Sequence, residues 1–402
     1  MAGTHSEFVA VPWVSLVTVP STLLGCLLLP ILEQAAGTIW QLSDWSVQLL
    51  WKFLYLLPRD LGFLVSPVGA SSLVLAAALL AGLCLMLPRH LCERWLGVLP
   101  LTLLLLFSDK PKFGLRVTVL DVGQGLAVVV ETKGHSLLYD SAAQYSPAFS
   151  AGSGIIAPYL CQGGWRAIDM TIISHEDGDH SGGFAGLQQV LPSRQIITGP
   201  GVDYPPGIIA GQAVDVCSAG AQWRWDNVLF EILAPAEALE QGANISGNNS
   251  SCVLHIRWHD INVLLPGDIE STAEYQLLDS GSLVNSPLLE SPLLESSLQD
   301  HSLQDRSLQE SPPLDLLVAP HHGSKTSSTP RFVRQLRPKQ VVFSAGYQHQ
   351  FGHPHPSVSK RYVDAGSGIW NTAEQGAITF EWLLSGELKI TAARRETQRW
   401  WR

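Results

Sequence analysis

Two histidines and two aspartates fall within the short run Ser174-His175-Glu176-Asp177-Gly178-Asp179-His180-Ser181-Gly182-Gly183, directly after the β-branched stretch Thr171-Ile172-Ile173. Imidazole nitrogens and carboxylate oxygens at alternating positions, delivered at the tip of a strand, can converge on one or two divalent cations. The plain alternative is a polar loop with solvated charges. The spacing His-x-Asp-x-Asp-His followed by Gly-Gly is far more restrictive than a lone His or a lone Asp-x-Asp, and it favours His175, Asp177, Asp179 and His180 as metal ligands.

Two further apolar runs end in chemistry. Asn262-Val263-Leu264-Leu265-Pro266-Gly267-Asp268 hands over a carboxylate after a Pro-Gly break, where Asp268 could bridge two cations. Asp315-Leu316-Leu317-Val318-Ala319-Pro320 leads into His321-His322-Gly323-Ser324-Lys325. A third stretch, Phe351-Gly352-His353-Pro354-His355-Pro356, reads as a rigid loop offering imidazoles to a metal, a phosphate or a leaving group. From residue 316 to 363 there is no Asp or Glu, while Lys325, Arg331, Arg334, Arg337, Lys339, Lys360 and Arg361 all fall there. An acid-free basic strip beside an acidic metal loop is what a phosphodiester substrate would require. It offsets an overall formal charge of −10, which is not the usual footprint of a nucleic-acid binder. A solvated helix face over 331–339 accounts for some of these charges but not for the missing acids.

The elements that must hold these groups are short. Segments 115–120, 126–131 and 136–139 read as strands, with turns at Gly123-Gln124-Gly125 and Lys133-Gly134, and the third ends in Asp140-Ser141. Segment 155–163 resembles a helix, 169–174 a buried strand and 182–190 the next helix. Strands are expected over 193–198, 222–233, 251–258, 262–265, 315–318, 341–346 and 376–382. Strands alternating with helices, with ligands at strand ends, predict an α/β layered fold with its site along one edge. Residues 286–310 repeat a five-residue unit that matches neither helix nor strand, and 286–313 is expected to be a low-complexity surface insertion. Of the cysteines, Cys161, Cys217 and Cys252 could include a disulfide in an oxidising compartment.

The first third differs. Residues 8–30 and 61–87 carry no charge, and each exceeds the roughly 20 residues that cross a bilayer core. Between them Trp40, Trp45, Trp51 and Tyr55 suit a helix in the headgroup zone or one packed in a bundle. The run 95–107 is shorter and contains Pro100, so it is expected as a kinked span or a re-entrant piece. Basic residues nearly balance across the loops, and sidedness stays open.

In order, Leu120-Asp121-Val122-Gly123-Gln124-Gly125, the His175–His180 loop, Leu265-Pro266-Gly267-Asp268, His321-His322-Gly323-Ser324 and Gly352-His353-Pro354 resemble the metallo-β-lactamase-fold domain of the ComEC family of competence DNA-uptake proteins. The resemblance implies a metallo-β-lactamase-like αββα sandwich over 111–385, preceded by transmembrane helices from the end of a channel domain (1–110) and followed by a basic aromatic tail (386–402). It implies His175, Asp177, Asp179, His180, Asp268 and His321 as ligands of one or two divalent cations. It leaves Asp179, His322, Lys325 and His353 for catalysis and Gln124, Ser324, Lys325, Arg331 and Arg334 for substrate. The wider superfamily has His where Asp177 stands, which favours Mn²⁺ alongside Zn²⁺. Asn248-Asn249-Ser250 occupy the place of a further ligand histidine, and Leu126 follows Gly125 where the family often has Asp.

As function, the resemblance implies part of an inner-membrane, multi-pass DNA-uptake machine whose soluble domain, on the periplasmic side, hydrolyses the strand that does not enter. The implied partners are single-stranded DNA, the membrane, other competence proteins and the remainder of the channel. Two rivals stand: a degenerate metal domain that only binds or guides DNA, and a small-molecule hydrolase of the same fold.

Overall fold

The computed structural model describes residues 10–56, 80, 81, 84, 113–147, 149–204, 213–236, 247–281 and 313–396. The 95–107 run, almost all of 61–87, the five-residue repeat and residues 397–402 lie outside the described residues. The chain divides into two compact units, the first ending near residue 108.

In the first unit, Ala10–Leu28 forms a helix long and apolar enough to cross a membrane. A second helix, Glu33–Leu56, packs back against it. Small residues let the two approach closely: Gly25 faces Trp40 so tightly that a Cβ would come 2.4 Å from the indole nitrogen. Hydroxyls then bridge the pair, Thr22 to Ser43 at 3.0 Å and Thr18 to Ser46 at 3.3 Å, and the Trp40 indole donates to the Thr22 carbonyl. Trp40 is therefore a helix-packing residue, whereas Trp45 and Trp51 stay exposed.

The second unit is a sandwich of an eight-stranded and a seven-stranded sheet with helices outside both. The first sheet runs, in spatial order, Leu388–Ala392, Ile378–Leu383, Phe113–Val119, Val128–Glu131, Ser136–Tyr139, Ile168–Ile173, Ser193–Thr198 and Val214–Val216. The second runs Gly368–Asn371, Gln340–Phe343, Leu316–Val318, Ile261–Leu265, Val253–Trp258, Val228–Ala234 and Gln222–Trp225. Period-two alternation sets the layers. Leu115, Val117, Val119, Val128 and Val130 face inward and meet Phe230, Ile232, Leu254, Ile256, Val263 and Leu265 of the other sheet. Val129 and Leu138 face outward under Ile156, Leu160 and Leu187, and Leu264, Leu317 and Val341 lie under Phe332, Leu336 and Tyr362. Because both faces are covered, the strands read as continuous apolar runs.

Each sheet is antiparallel on one side and parallel on the other. Ser136–Tyr139, Ile168–Ile173, Ser193–Thr198 and Val214–Val216 run parallel, as do Ile261–Leu265, Leu316–Val318, Gln340–Phe343 and Gly368–Asn371. The carboxyl ends of these strands deliver Asp140, His175, Asp268, His322 and Ser344 to one edge.

Three expectations are corrected. Segment 222–233 is a hairpin rather than one strand, because Asp226 and Asn227 adopt φ of 48° and 67° and turn the chain. The Asp226 carboxylate anchors that turn, accepting from the Thr132 hydroxyl at 2.6 Å and the Gly134 amide at 2.8 Å. The fold also runs past residue 385, since Leu388–Ala392 pairs in register with Ile378–Leu383 and removes most of the expected tail. Finally, the edge strands Val214–Val216 and Gly368–Asn371 were not expected, being short and held by pairing rather than by their own propensity.

Cys217 and Cys252 form a buried disulfide joining the end of the first sheet's edge strand to the start of Val253–Trp258 in the second. With a sequence separation of 35, loop closure contributes about 4 kcal/mol. The Cys217→Ala/Cys252→Ala chain is expected to lose about that much unfolding free energy in urea denaturation, and dithiothreitol to have no further effect on it.

His255 lies in the helix-covered face of the second sheet. Burial, with the Arg257 guanidinium adding to it, pushes its pKa down to about 4, and the Asn262 side chain offsets only part of this. The folded chain thus binds this proton less readily than the unfolded one, so stability is lost as pH falls from about 6.5 to about 4, by up to about 3 kcal/mol. Denaturation midpoints measured across that window should fall more steeply in the parent than in His255→Leu.

Candidate metal centre

The site assembles from both sheets. Asp140, at the end of Ser136–Tyr139, takes a left-handed backbone with φ of 61°, a conformation Asp tolerates. Its fully buried carboxylate accepts from the Ser174 amide at 2.6 Å, the Ser174 hydroxyl at 2.8 Å and His180 Nδ1 at 2.7 Å. Those bonds fix proton positions in turn. The Ser174 hydroxyl proton is committed to Asp140, so its oxygen accepts from His175 Nδ1 at 2.9 Å. From the other sheet, His322 Nδ1 donates to the Ser344 carbonyl at 2.9 Å. His175, His180 and His322 therefore all hold an N–H on Nδ1, which leaves each Nε2 as a lone pair.

These lone pairs point into one buried space. His180 Nε2 lies 3.2 Å from His322 Nε2, and His175 Nε2 has no hydrogen-bond partner, its nearest carboxylate oxygen being Asp177 Oδ2 at 3.5 Å. Carboxylates complete the ring: Asp268 Oδ1 is 3.2 Å from His180 Nε2, while Asp268 Oδ2 and Asp179 Oδ2 are 3.4 and 3.3 Å from His322 Nε2. Ligand atoms of His175, His180 and Asp268 lie within 4.8 Å of one another, as do those of Asp179, His180 and His322. Apart from a proton that His180 can take, only acceptors meet here, and acceptors facing acceptors in a buried space call for a cation.

The electrostatics agree. Burial opposes charging His180, but the Asp268 and Asp140 carboxylates outweigh it and raise its pKa well above the usual value. Burial likewise works against the charge on Asp268, and His180 and His322 overcome it, holding the carboxyl well below its ordinary range. Asp179 is also lowered despite burial, through His322 and His180. The field that would hold a proton on His180 is the field that holds a metal ion, so binding one releases the other.

Asp268 is positioned by its own amide, which donates to the Ser251 hydroxyl at 3.1 Å; that hydroxyl lies 3.4 Å from His175 Nδ1. Gly125 backs Asp179: its φ is 126°, and a Cβ there would come 2.4 Å from the Asp179 carbonyl oxygen. The amide of Leu126 donates to that same carbonyl at 3.1 Å.

The structure distributes the expected residues unevenly. His175, Asp179, His180, Asp268 and His322 converge, with Asp177 at the half-exposed rim. The two neighbouring histidines exchange the places expected for them. His322 enters the cluster, while His321 turns out, with Nδ1 at 3.3 Å from Glu270 and 3.1 Å from Thr326, and Nε2 at 3.9 Å from Asp268. Both residues adopt left-handed φ, 49° and 54°, in the turn that presents them. His353 stands at the mouth, its ring 6.3 Å from His322 and 6.1 Å from His321. Burial and those two imidazoles lower its pKa to about 4, so it is neutral.

Gln124 sits in the loop against Asp179, its side-chain oxygen buried without a partner. Ser324 is buried and bonds Thr326 at 3.1 Å, while Lys325 is exposed. Arg331 is drawn to Asp279 at 2.7 Å, and Arg334 bonds the Pro330 carbonyl at 3.1 Å. Asn248 approaches His321 at 3.5 Å in the region where the resemblance implies a further histidine.

The acid-free strip is acid-free only in sequence. Asp315 reaches Lys339 at 2.8 Å, Asp364 reaches Lys360 at 2.9 Å, and Arg361 donates to the Ser328 carbonyl. Sequence reasoning gave Asp140 no role; a carboxylate closing a buried strand beside the metal loop was the available signal.

Two family models match the chain: the metallo-β-lactamase superfamily over residues 120–347 and Competence protein over residues 1–91. Competence protein ComA of Neisseria gonorrhoeae is 31% identical over 376 residues, covering 92% of this chain and 47% of that protein. Recombination protein 2 of Haemophilus influenzae is 29% identical, covering 74% of this chain and 32% of its own length. The chain thus spans at most about half the length of these relatives. Among solved structures, the metallo-β-lactamase-fold protein YhfI of Bacillus subtilis overlaps with a TM-score of 0.38 at 13% identity, covering 64% of this chain and 95% of that one. With a sandwich whose strand ends gather His175, His180, Asp268 and His322, and with a competence-protein segment ahead of it, the chain belongs to the metallo-β-lactamase superfamily and, within it, to the ComEC-type competence proteins.

Proposed function

We propose that the soluble unit is a metal-dependent phosphodiesterase acting on DNA, working within the DNA-uptake machinery of natural transformation. The observation that carries this reading is the convergence of three imidazole Nε2 atoms and two carboxylates, Asp179 and Asp268, on one buried space. A divalent cation bound there supplies a Lewis acid for a phosphate oxygen and a water of lowered pKa. His180, His322, Asp179 and Asp268 would hold it, with His175 and Asp177 beside Asp268 as the poorer half of the site. Asp179 orients the attacking water and accepts its hydrogen bond. His353, neutral at the mouth, hydrogen-bonds the leaving oxygen, with exposed Lys325 available to the phosphate. His322 has one nitrogen on the Ser344 carbonyl and the other in the ring, which leaves it no free proton to move.

The DNA substrate is supported by the competence-protein segment and by the names of the relatives. The buried Cys217–Cys252 disulfide supports a location on the oxidising, periplasmic side of the inner membrane, with the apolar helix Ala10–Leu28 as a membrane attachment. A second reading, a domain that binds DNA without cleaving it, draws on Asn248-Asn249-Ser250 where the superfamily supplies another histidine.

Asp179→Ala is expected to abolish Mn²⁺-dependent cleavage of single-stranded DNA by the purified chain, and undiminished cleavage would falsify the assignment. The rival predicts a parent that binds DNA yet retains no metal after dialysis. Metal analysis also separates the histidines: His322→Ala should lose bound Mn²⁺ or Zn²⁺ by tenfold or more in affinity, about 1.4 kcal/mol, while His321→Ala keeps it.

A further inference from the structure

Among the described residues of the soluble unit, five Phe, Tyr or Trp side chains are exposed: Tyr145, Phe149, Tyr275, Tyr347 and Phe351. Tyr275 lies on an outer helix under the Arg331 guanidinium. The other four collar the mouth of the metal centre. Tyr145 bonds the Val122 carbonyl and stacks on Phe149 with ring centroids 5.7 Å apart, flanking one side of the Gly123–Gly125 loop. Gly346 flanks the other side, where a Cβ would come 3.0 Å from the Gln124 amide and 3.3 Å from His349 Cβ. The loop that follows carries Tyr347, 69% exposed, and Phe351, 60% exposed. Phe351 lies 4.9 Å from the His349 ring and 5.9 Å from the His353 ring, which is itself 6.3 Å from His322.

Gln124 Oε1, His349 Nδ1 and His353 Nδ1 are buried beneath this surface without hydrogen-bond partners. Exposed aromatic faces cost free energy in water, and a ligand with flat faces relieves that cost by stacking on them. Three of the cations that could clamp a phosphate backbone are paired, Arg331 with Asp279, Lys339 with Asp315 and Lys360 with Asp364, while Lys325 is exposed.

We infer that this collar is a nucleobase platform: unpaired bases of single-stranded DNA stack on Tyr347 and Phe351, and on Tyr145 and Phe149 across the loop. The assignment rests on the phosphodiesterase reading for the strand's presence at the site. Two ring-to-ring steps separate Phe351 from His322, a span one nucleotide bridges with its base on Phe351 and its phosphate at the cluster. A base held in a duplex has no free face to offer, so the collar selects single strands. Stacking on these faces adds to affinity whatever the base, beside the salt-dependent contribution of the phosphate backbone.

The test is fluorescence anisotropy of a labelled oligothymidylate with the detergent-solubilised full chain in EDTA, over a range of salt. The Tyr347→Ala/Phe351→Ala chain is expected to bind about tenfold more weakly than the parent and to lose its preference for the single strand over a duplex of equal length. Phe351→Trp should retain the parent's affinity. Unchanged binding in the double variant overturns the platform. Hydrolysis of bis(4-nitrophenyl) phosphate with Mn²⁺, a substrate too small to span the collar, separates this from the reading beneath it. If both chains cleave it equally while only the parent holds the oligonucleotide, both readings stand. If neither cleaves it and the binding difference persists, the platform stands and the phosphodiesterase falls.

Discussion

His180 and His322 face each other nitrogen to nitrogen at 3.2 Å, each with its Nδ1 proton turned away. The space between them needs a positive charge, a proton or a metal ion, and that need explains much of the rest. Asp140 must lie beneath His180 and the Ser344 carbonyl behind His322, or the rings would turn over and pair. Asp140 and His180 come from the first sheet; His322, Ser344 and Asp268 come from the second. The cluster therefore exists only when the two sheets are packed, and each buried contact between Val117, Val128 or Leu254 and its neighbours helps bring mutually repelling groups together. A cation bound there favours the folded chain over the unfolded one, so metal loading and stability are thermodynamically linked.

The parts of this plan that are legible in the sequence are those written in contiguous residues. Apolar runs ending in His175, Asp268 and His321-His322 announced three strand ends, and short β-rich apolar segments between turns placed most central strands within a few residues. What stayed hidden depends on residues far apart. The hydrogen bond from His180 to Asp140 spans 40 positions, and only the strand-ending position of that carboxylate hints at it. The choice between His321 and His322 was closed to sequence reasoning because the two are adjacent, and which ring meets His180 depends on a left-handed turn that the sequence does not announce. Edge strands such as Val214–Val216 are made by their partners and have little signature of their own.

Charge was the least legible property. A stretch without acids looked like a free basic surface, yet Asp279, Asp315 and Asp364 arrive from outside it to meet Arg331, Lys339 and Lys360. Exposed pairs of this kind add little stability, but they alter what the surface offers a polyanion. The aromatic loop at 347–351 carried no comparable signal, since Tyr and Phe in a Gly- and His-rich segment are as readily core residues as surface ones.

The paired left-handed histidines have an evolutionary consequence. Non-glycine residues in that conformation cost about 1–2 kcal/mol each, and the chain bears this twice in succession at His321 and His322. Glycine or asparagine at either position would relieve the strain, so variation there is opposed by chemistry and favoured by folding. A lineage released from selection on the site would be expected to erode here first and to gain stability in doing so. In such sequences, a glycine at 322 would be an early mark of a domain that has kept its sandwich and given up its metal.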